Sequence, residues 1–243
     1  MKRYVLCCAA LLSAGCCLAD SGKLTWPDRS ALELYHPGGW SFQLRYRSDT
    51  RELKAGPDVA ELQAARLCGR AAWELLPFLT LRAEAGWCRA DLDAEEGEGG
   101  LTWSAGLRAN LFEYVPSASP VLGKRQSIKL GLDAEYARCV SNFEDTDFEW
   151  AETTITPLFS YTVNLRGPEH WPLFDPVAAG LFGGLVFSYI DADRAGGDLS
   201  ENRDFGFLAG VNVRLAPDIV LELDTRHYAA GDASTSVSVG YRF

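Results

Sequence analysis

The chain has 243 residues, of which 47% are hydrophobic, and its 33 acidic and 23 basic residues give a net charge of −10. Such an acidic chain is poorly suited to the phosphate backbone of nucleic acids, so we expect no nucleic-acid partner. Beyond the first 19 residues no apolar run reaches the roughly 18 residues of a membrane-spanning helix, which excludes an α-helical membrane protein. The length fits a single domain.

The first 19 residues predict a secretory signal peptide. They begin with the basic Met1–Arg3, continue through an apolar segment that starts at Tyr4, and end at the small residue Ala19. Their removal takes away two basic residues and no acidic ones, so the net charge of the mature chain becomes −12.

A different processing site is also open. Ala14-Gly15-Cys16 resembles the end of a lipoprotein signal, in which Cys16 would become lipidated. Ser13 stands where that pattern usually has leucine, and both alternatives stay open at this point.

From residue 40 to residue 243 the chain alternates apolar and polar residues with a period of two, the pattern of β-strands with one apolar face. Residues 20–39 are expected to form an N-terminal segment before the first strand. The pattern predicts an all-β, antiparallel up-and-down transmembrane β-barrel of about ten strands, with eight or twelve as alternatives. The predicted strands are 40–48, 61–75, 78–90, 101–113, 127–140, 149–165, 177–190, 204–215, 219–228 and 233–243.

Two kinds of connection alternate along the chain. The first kind is polar and acidic, and the second contains the turn-forming prolines. Long loops outside the cell and tight turns in the periplasm are typical of outer-membrane barrels, so we expect the acidic loops outside. The acidic loops are 49–60, 91–100, 141–148, 191–203 and 229–232, and the proline-containing turns are 76–77, 115–126, 166–176 and 216–218.

Alternation alone does not say which face points outward, because a soluble lipocalin-like barrel hides its apolar face inside. Here the apolar face is too bulky for a ten-stranded lumen, and the opposite face combines glycines with charges. We therefore expect the apolar face to contact lipid, with aromatic girdles at both membrane interfaces. The bulky residues are Trp73, Phe78, Trp87, Trp103, Phe159, Tyr161, Phe187 and Tyr189.

The ending Tyr241-Arg242-Phe243, preceded by Val237 and Val239, resembles the last strand of bacterial outer-membrane β-barrel proteins of the OmpA-like and porin-like class. The resemblance implies an integral outer-membrane protein with both termini in the periplasm. It also implies that the barrel-assembly machinery reads Tyr241 and Phe243, and that the partners are outer-membrane lipid and lipopolysaccharide. It identifies a class and leaves the member open.

Charged residues of both signs fall on the predicted inner face. They fit either a network of ion pairs that fills the lumen or a charged path for solutes. A ten-stranded barrel favours the filled lumen, and hence a structural or interaction role or limited passage of small solutes. The residues are Arg45, Arg47, Arg66, Arg70, Glu74, Arg82, Glu84, Arg108, Lys129, Asp133, Glu135, Arg214, Glu222, Asp224 and Arg226.

Two alternative functions stay open, a soluble periplasmic ligand-binding barrel and a surface hydrolase of the omptin type. The hydrolase is considered because some ten-stranded barrels carry acidic and histidine residues at their rim. His36 and His170 fall outside the expected rim, and His227 follows Arg226 where an omptin pair would require an acidic residue. We therefore expect no enzyme activity.

The acidic loops do not match a cation site. Asp191 and Asp193 begin like a calcium loop, but Ala195 and Asn202 stand at ligand positions, so we expect no metal and no cofactor. Divalent cations could also bridge the acidic loops weakly to lipopolysaccharide, but the spacing of the acidic residues gives no support for this.

The cysteines outside the signal peptide are Cys68, Cys88 and Cys139, which are too widely spaced for a zinc cluster. Cys68 and Cys88 share the inward face of adjacent strands, and Cys68 is expected opposite Gly86. A small shift in register would allow a Cys68–Cys88 disulfide, whereas Cys139 has no evident partner.

Overall fold

The computed structural model describes residues 39–243 except 56–57, 77, 94, 115–125, 144–145, 165–177, 195–196, 201–203, 217 and 230. The predicted signal peptide, Cys16, and residues 20–38 of the predicted N-terminal segment lie outside the described residues. The described residues contain no helix that is long and apolar enough to cross a membrane.

The described residues form a closed antiparallel barrel. Neighbouring long strands follow one another in the chain, and the last strand pairs with the first to close the ring. Ten long strands build this ring, which confirms the predicted all-β fold and strand number. The strands are β1 (Trp40–Ala55), β2 (Asp58–Leu76), β3 (Leu79–Leu92), β4 (Glu95–Tyr114), β5 (Gln126–Phe143), β6 (Thr146–Asn164), β7 (Ala178–Arg194), the short β8 (Gly197–Ser200), β9 (Asp204–Ala216), β10 (Ile219–Tyr228) and β11 (Ala233–Arg242).

The two ends of the barrel differ. At the near end, β1 begins at Trp40 and β11 ends at Arg242; the far end is the opposite one. β10 and β11 stop before the far end, while β8 folds back on β7 and pairs with β1 through Lys54 and Ser200. The ring therefore narrows from ten strands to eight toward the far end, a size that side chains alone can fill.

From the near end to the middle of the barrel, apolar side chains point outward and polar ones point inward, as the alternation predicts. About half of each outer side chain is exposed, including Trp87, Leu223 and Val237. Aromatic rings cluster on this surface near each end: Trp40 stacks on Trp73 at 5.8 Å between ring centroids, and Phe187 lies 5.4 Å from Phe205. The outer surface is thus an apolar band with clustered aromatic side chains near both of its edges.

At the far end the polarity of the two faces is reversed. The stretches predicted as acidic loops, 49–60, 91–100, 141–148 and 191–203, are largely extensions of strands, and that part of the prediction was wrong. Apart from the inward Asp49, the acidic residues of these stretches whose side chains are described lie on the outer face or at the rim, and most of the residues between them are apolar and buried inside. Outward residues here are Glu52, Lys54, Glu61, Asp91, Glu149, Asp191 and Asp193, and inward ones are Leu53, Leu62, Ala64, Ala90, Leu92, Phe148, Trp150, Ile190 and Ala192.

Candidate functional site: the lumen of the barrel

The lumen is divided into three layers along the barrel axis. A polar near-end cup opens at the near end, a central network of arginines and carboxylates fills the middle, and an apolar far-end core closes the far end. The layers arise because the inward-pointing residues are polar from the near end to the middle of the barrel and apolar in the narrower far end.

The near-end cup is a cavity of about 220 Å³. Its charged wall includes Arg242, which is 2.9 Å from Glu74 (Nη2 to Oε2), and Lys129, which is 3.7 Å from Glu113 (Nζ to Oε1). The cup is therefore a water-accessible polar vestibule. The other polar residues that line it include Ser41, Gln43, Arg70, Thr80, Arg82, Arg108, Asn110, Ser160, Thr162, Asn212, Asp218 and Glu222.

Glu152 on β6 accepts hydrogen bonds from three arginines of the central network. Its oxygens lie 3.1 Å from Arg47 Nη2, 2.8 Å from Arg51 Nη2 and 3.3 Å from Arg66 Nη2, and the Ser188 hydroxyl donates a further hydrogen bond at 3.4 Å. The Glu152 side chain is only 3% exposed. Three guanidiniums from β1 and β2 are thus joined to the opposite wall of the barrel.

Glu84 and Glu135 hold the next group of arginines. Glu84 forms ion pairs with Arg70 and, at 3.3 Å, with Arg45. Glu135 lies between 3.8 and 4.0 Å from Arg45, Arg47, Arg70 and Arg82. Each carboxylate serves more than one guanidinium, so the charges compensate one another as a group, which buried ions require.

The central network extends toward the near-end cup through Asp133 on β5. Asp133 forms ion pairs with Arg82 and with Arg108, the latter at 2.9 Å from Arg108 Nε. A small cavity of about 20 Å³ lies beside these residues, and its wall contains Asp224 and the buried Arg226. That volume is about enough for one water molecule, so the middle of the lumen is filled.

The far-end core is made of buried residues from β1 to β3 and β5 to β7. Phe148 and Trp150 are at most 2% exposed, and their ring centroids are 5.5 Å apart. On the side of these rings that faces the near end, the Arg51 guanidinium lies 3.4 Å from the centroid of the Tyr228 ring. This cation–π contact lies between the far-end core and the central network. The core consists of Leu53, Leu62, Ala64, Cys88, Ala90, Leu92, Cys139, Phe148, Trp150, Ile190 and Ala192.

The structure places the sequence-predicted lumen residues at inward positions. Of these residues, Arg66, Arg70, Arg82, Glu84, Arg108, Asp133 and Glu135 join the central network through ion pairs, and Asp224 joins it with Arg45 at 3.7 Å. Glu74 and Glu222 line the near-end cup, Arg214 lies at the near end of β9, and Arg226 borders the small cavity.

Sequence reasoning missed Asp49, Arg51 and Glu152 in the central network, as well as Phe148 and Trp150 in the far-end core. Asp49 and Arg51 fell in a predicted loop, although they continue the inward parity of Arg45 and Arg47. The sequence did contain a signal for these residues. Inward and outward positions keep alternating without a break from the predicted strands into the predicted loops, while the inward residues change from charged to apolar.

The predicted Cys68–Cys88 bridge is not formed in the structure, where Cys68, Cys88 and Cys139 are free, buried thiols. Cys68 does lie opposite Gly86, as expected, but no shift in register follows, and Cys88 lies opposite Arg66. The two cysteines are therefore displaced by two residues along the strands, and Cys88 lies in the far-end core with Cys139 instead.

Those of the remaining candidate residues that the structure describes lie on the outer surface. His227 points outward, and its ring centroid is 5.4 Å from that of Phe207, while His36 and His170 lie outside the described residues. Phe243 packs against Tyr241 at 5.0 Å between centroids, and its backbone N–H donates to Trp40 at the closing seam. The described part of the chain contains no group of three or more metal-ligating side chains that could hold an ion.

A closed antiparallel barrel with an apolar outer band belongs to the class of folds by which β-proteins cross membranes.

No protein-family model matches the chain, and no curated protein matches it. Similar solved structures include the transport unit of the autotransporter AIDA-I from Escherichia coli (11% identity, TM-score 0.48, covering 96% of this chain and 98% of that one). Others are the outer membrane protease OmpT from Escherichia coli (11%, 0.42, 88% and 100%) and an outer membrane channel from Pseudomonas putida (12%, 0.43, 89% and 99%). At such identities the likeness concerns the fold alone.

Proposed function

We propose that this chain is an outer-membrane barrel that does not conduct solutes and acts through its far-end hairpins as a structural or interaction protein. The closed lumen is the observation that carries the proposal. The central network and the far-end core lie in series, so a solute entering the near-end cup meets two filled layers.

The band of apolar outer residues supports the membrane location. Soluble monomers rarely expose continuous apolar surfaces of this extent, whereas a lipid-facing barrel wall requires them. The reversal of polarity at the far end supports a far end in water, with its acidic outer residues at the cell surface. Outer-membrane lipid and lipopolysaccharide are then the partners of the band and its edge, and the assembly machinery is the partner of the strand with Tyr241 and Phe243.

The proposal includes no catalytic role. His227 lies on the outer face against Phe207 rather than at the mouth of the lumen, which supports this. Cleavage of peptide substrates by intact cells, lost on substitution of residues at the far end, would count against it.

The purified barrel is expected to give no discrete conductance steps in planar lipid bilayers, because both filled layers block the path. Insertion is checked by heat-modifiable gel migration of the same sample, and a general porin added afterwards confirms that the bilayer can report a channel. Regular steps from the protein alone, before the porin is added, would contradict the filled lumen.

An epitope placed between Ala55 and Asp58, in the β1–β2 hairpin at the far end, is expected to bind antibody on intact cells. The matched insertion between Ala216 and Ile219, at the near end, is expected to bind only after the outer membrane is permeabilised. The reverse result would mean that the barrel is inserted the other way round, and recovery of the chain in the soluble periplasm would refute the membrane location.

A further inference from the structure

Two thiols lie in the same part of the far-end core. Cys88 on β3 and Cys139 on β5 are fully buried members of one apolar cluster, and Cys88 Sγ contacts the backbone of Val140, the residue that follows Cys139. They come from strands that β4 separates in the sheet, so ordinary strand pairing does not bring them together.

An irregularity in β4 explains the contact. The register of β4 against β5 shifts between Glu98 and Thr102, and β4 carries one extra residue there. Across this bulge Cys88 Sγ lies 3.2 Å from the carbonyl oxygen of Val140, and the backbone N–H of Ala90 donates to Ser141 Oγ at 3.3 Å. β3 therefore touches β5 directly next to the two cysteines.

The surroundings of Cys139 favour its reactive form. Thr102 Oγ1 lies 3.0 Å from Cys139 Sγ, and Arg66 Nη1 donates to the same sulfur at 3.7 Å. A hydroxyl and a guanidinium next to sulfur stabilise the thiolate, which is the attacking species in thiol–disulfide exchange.

We propose that Cys88 and Cys139 are joined by a disulfide bond in the exported protein. The oxidant is a disulfide of the oxidising compartment. The Cys139 thiolate attacks one sulfur of that disulfide and releases a thiolate, and the Cys88 thiolate then attacks Cys139 Sγ and releases the second. The two protein thiols lose two protons and two electrons, and the oxidant becomes a dithiol.

The bond must form while β2 to β5 are already paired and the ring is still open, because Arg66 and Thr102 then contact Cys139 but both sulfurs are fully buried once the ring closes. Once formed, it fixes β3 to β5 across the bulge of β4 and holds the far-end core in place. In cells the proposal rests on the proposed export of the chain, since a reducing compartment would keep the thiols free.

Peptide mapping distinguishes the three cysteines. The protein is purified from the cell envelope without reductant, alkylated in denaturant and digested with trypsin, which separates Cys68 (67–70), Cys88 (83–89) and Cys139 (139–166). We expect alkylated Cys68 and a linked peptide of 83–89 with 139–166 that disappears on reduction. Alkylation of all three thiols, or a bond that involves Cys68, would overturn the proposal.

Refolding in vitro separates the chemistry from the location. The reduced protein is refolded into detergent with glutathione disulfide, and folding is checked by heat-modifiable migration. We expect the bond in the wild type and in Cys68→Ser, and its loss in Cys88→Ser and Cys139→Ser. A folded wild type without the bond refutes the pairing itself, whereas a bond that forms in vitro and not in cells contradicts export to an oxidising compartment.

Discussion

Replacing Glu152 by alanine is expected to lower the free energy of unfolding by about 3–5 kcal/mol. The Glu152 carboxylate compensates Arg47, Arg51 and Arg66 in a buried site, and its removal leaves their charges without that partner. The loss exceeds that of an ordinary hydrogen bond because the arginines cannot reach water. Urea unfolding in lipid vesicles, followed by tryptophan fluorescence, measures it.

Two further variants separate the possible causes. Glu152→Gln keeps the volume and removes the charge, so most of the loss should remain if charge compensation is responsible. Glu149→Ala is the matched control on the same strand, since Glu149 pairs with Arg138 at 2.6 Å on the outer face with both side chains more than a third exposed. An exposed pair contributes at most about 1 kcal/mol. Equal, small losses at both positions would show that the central network does not stabilise the barrel.

Replacing Leu223 by arginine is expected to cost about 2–4 kcal/mol in lipid vesicles, the cost of a cation near the middle of the bilayer. Leu223 points outward, is 47% exposed, and pairs with the outward-facing residues Val237 and Val211. It lies midway along β10, so lipid is the only solvent its side chain can reach. The measurements are the urea midpoint in vesicles and the fraction of heat-modifiable, folded protein.

The control for this change is His227→Arg, four residues further along the same strand and on the same face. His227 is already polar and lies toward the far end, where an arginine should cost only about 0–1 kcal/mol. If both variants were as stable as the wild type, the outer band would be facing water, and the membrane location would be wrong.

The closed lumen changes how the charged residues are understood. Arginines that line a barrel can select anions in an open pore, but here Arg45, Arg47 and Arg66 are each within 4.0 Å of at least two carboxylates. Their positive charge is neutralised locally, so they join strands of the wall instead of attracting solutes. On the far-end side of these arginines the ring narrows from ten strands to eight, and this narrowing closes the path through the lumen.

The local sequence determined the class of fold and the orientation of its faces. The alternation around Leu81, Arg82 and Trp87 predicts one apolar and one polar face, because successive side chains of a strand point in opposite directions. The bulk of the apolar face then predicts which side meets lipid. Ten strands, their near-end boundaries and the inward position of residues such as Glu84 and Glu135 follow from this period alone.

Only the tertiary structure decided what the inward residues contact. Glu152 and Arg66 are 86 residues apart, and no local pattern relates them. The far-end extensions were missed because charged residues such as Glu52 and Asp91 resemble loops when polarity is considered without parity. The contact of Cys88 with the backbone of β5 depends on a bulge in β4, since one extra residue in an intervening strand brings two non-neighbouring strands into contact. The repeating pattern of the sequence thus set the wall of the barrel, whereas register and closure set its interior.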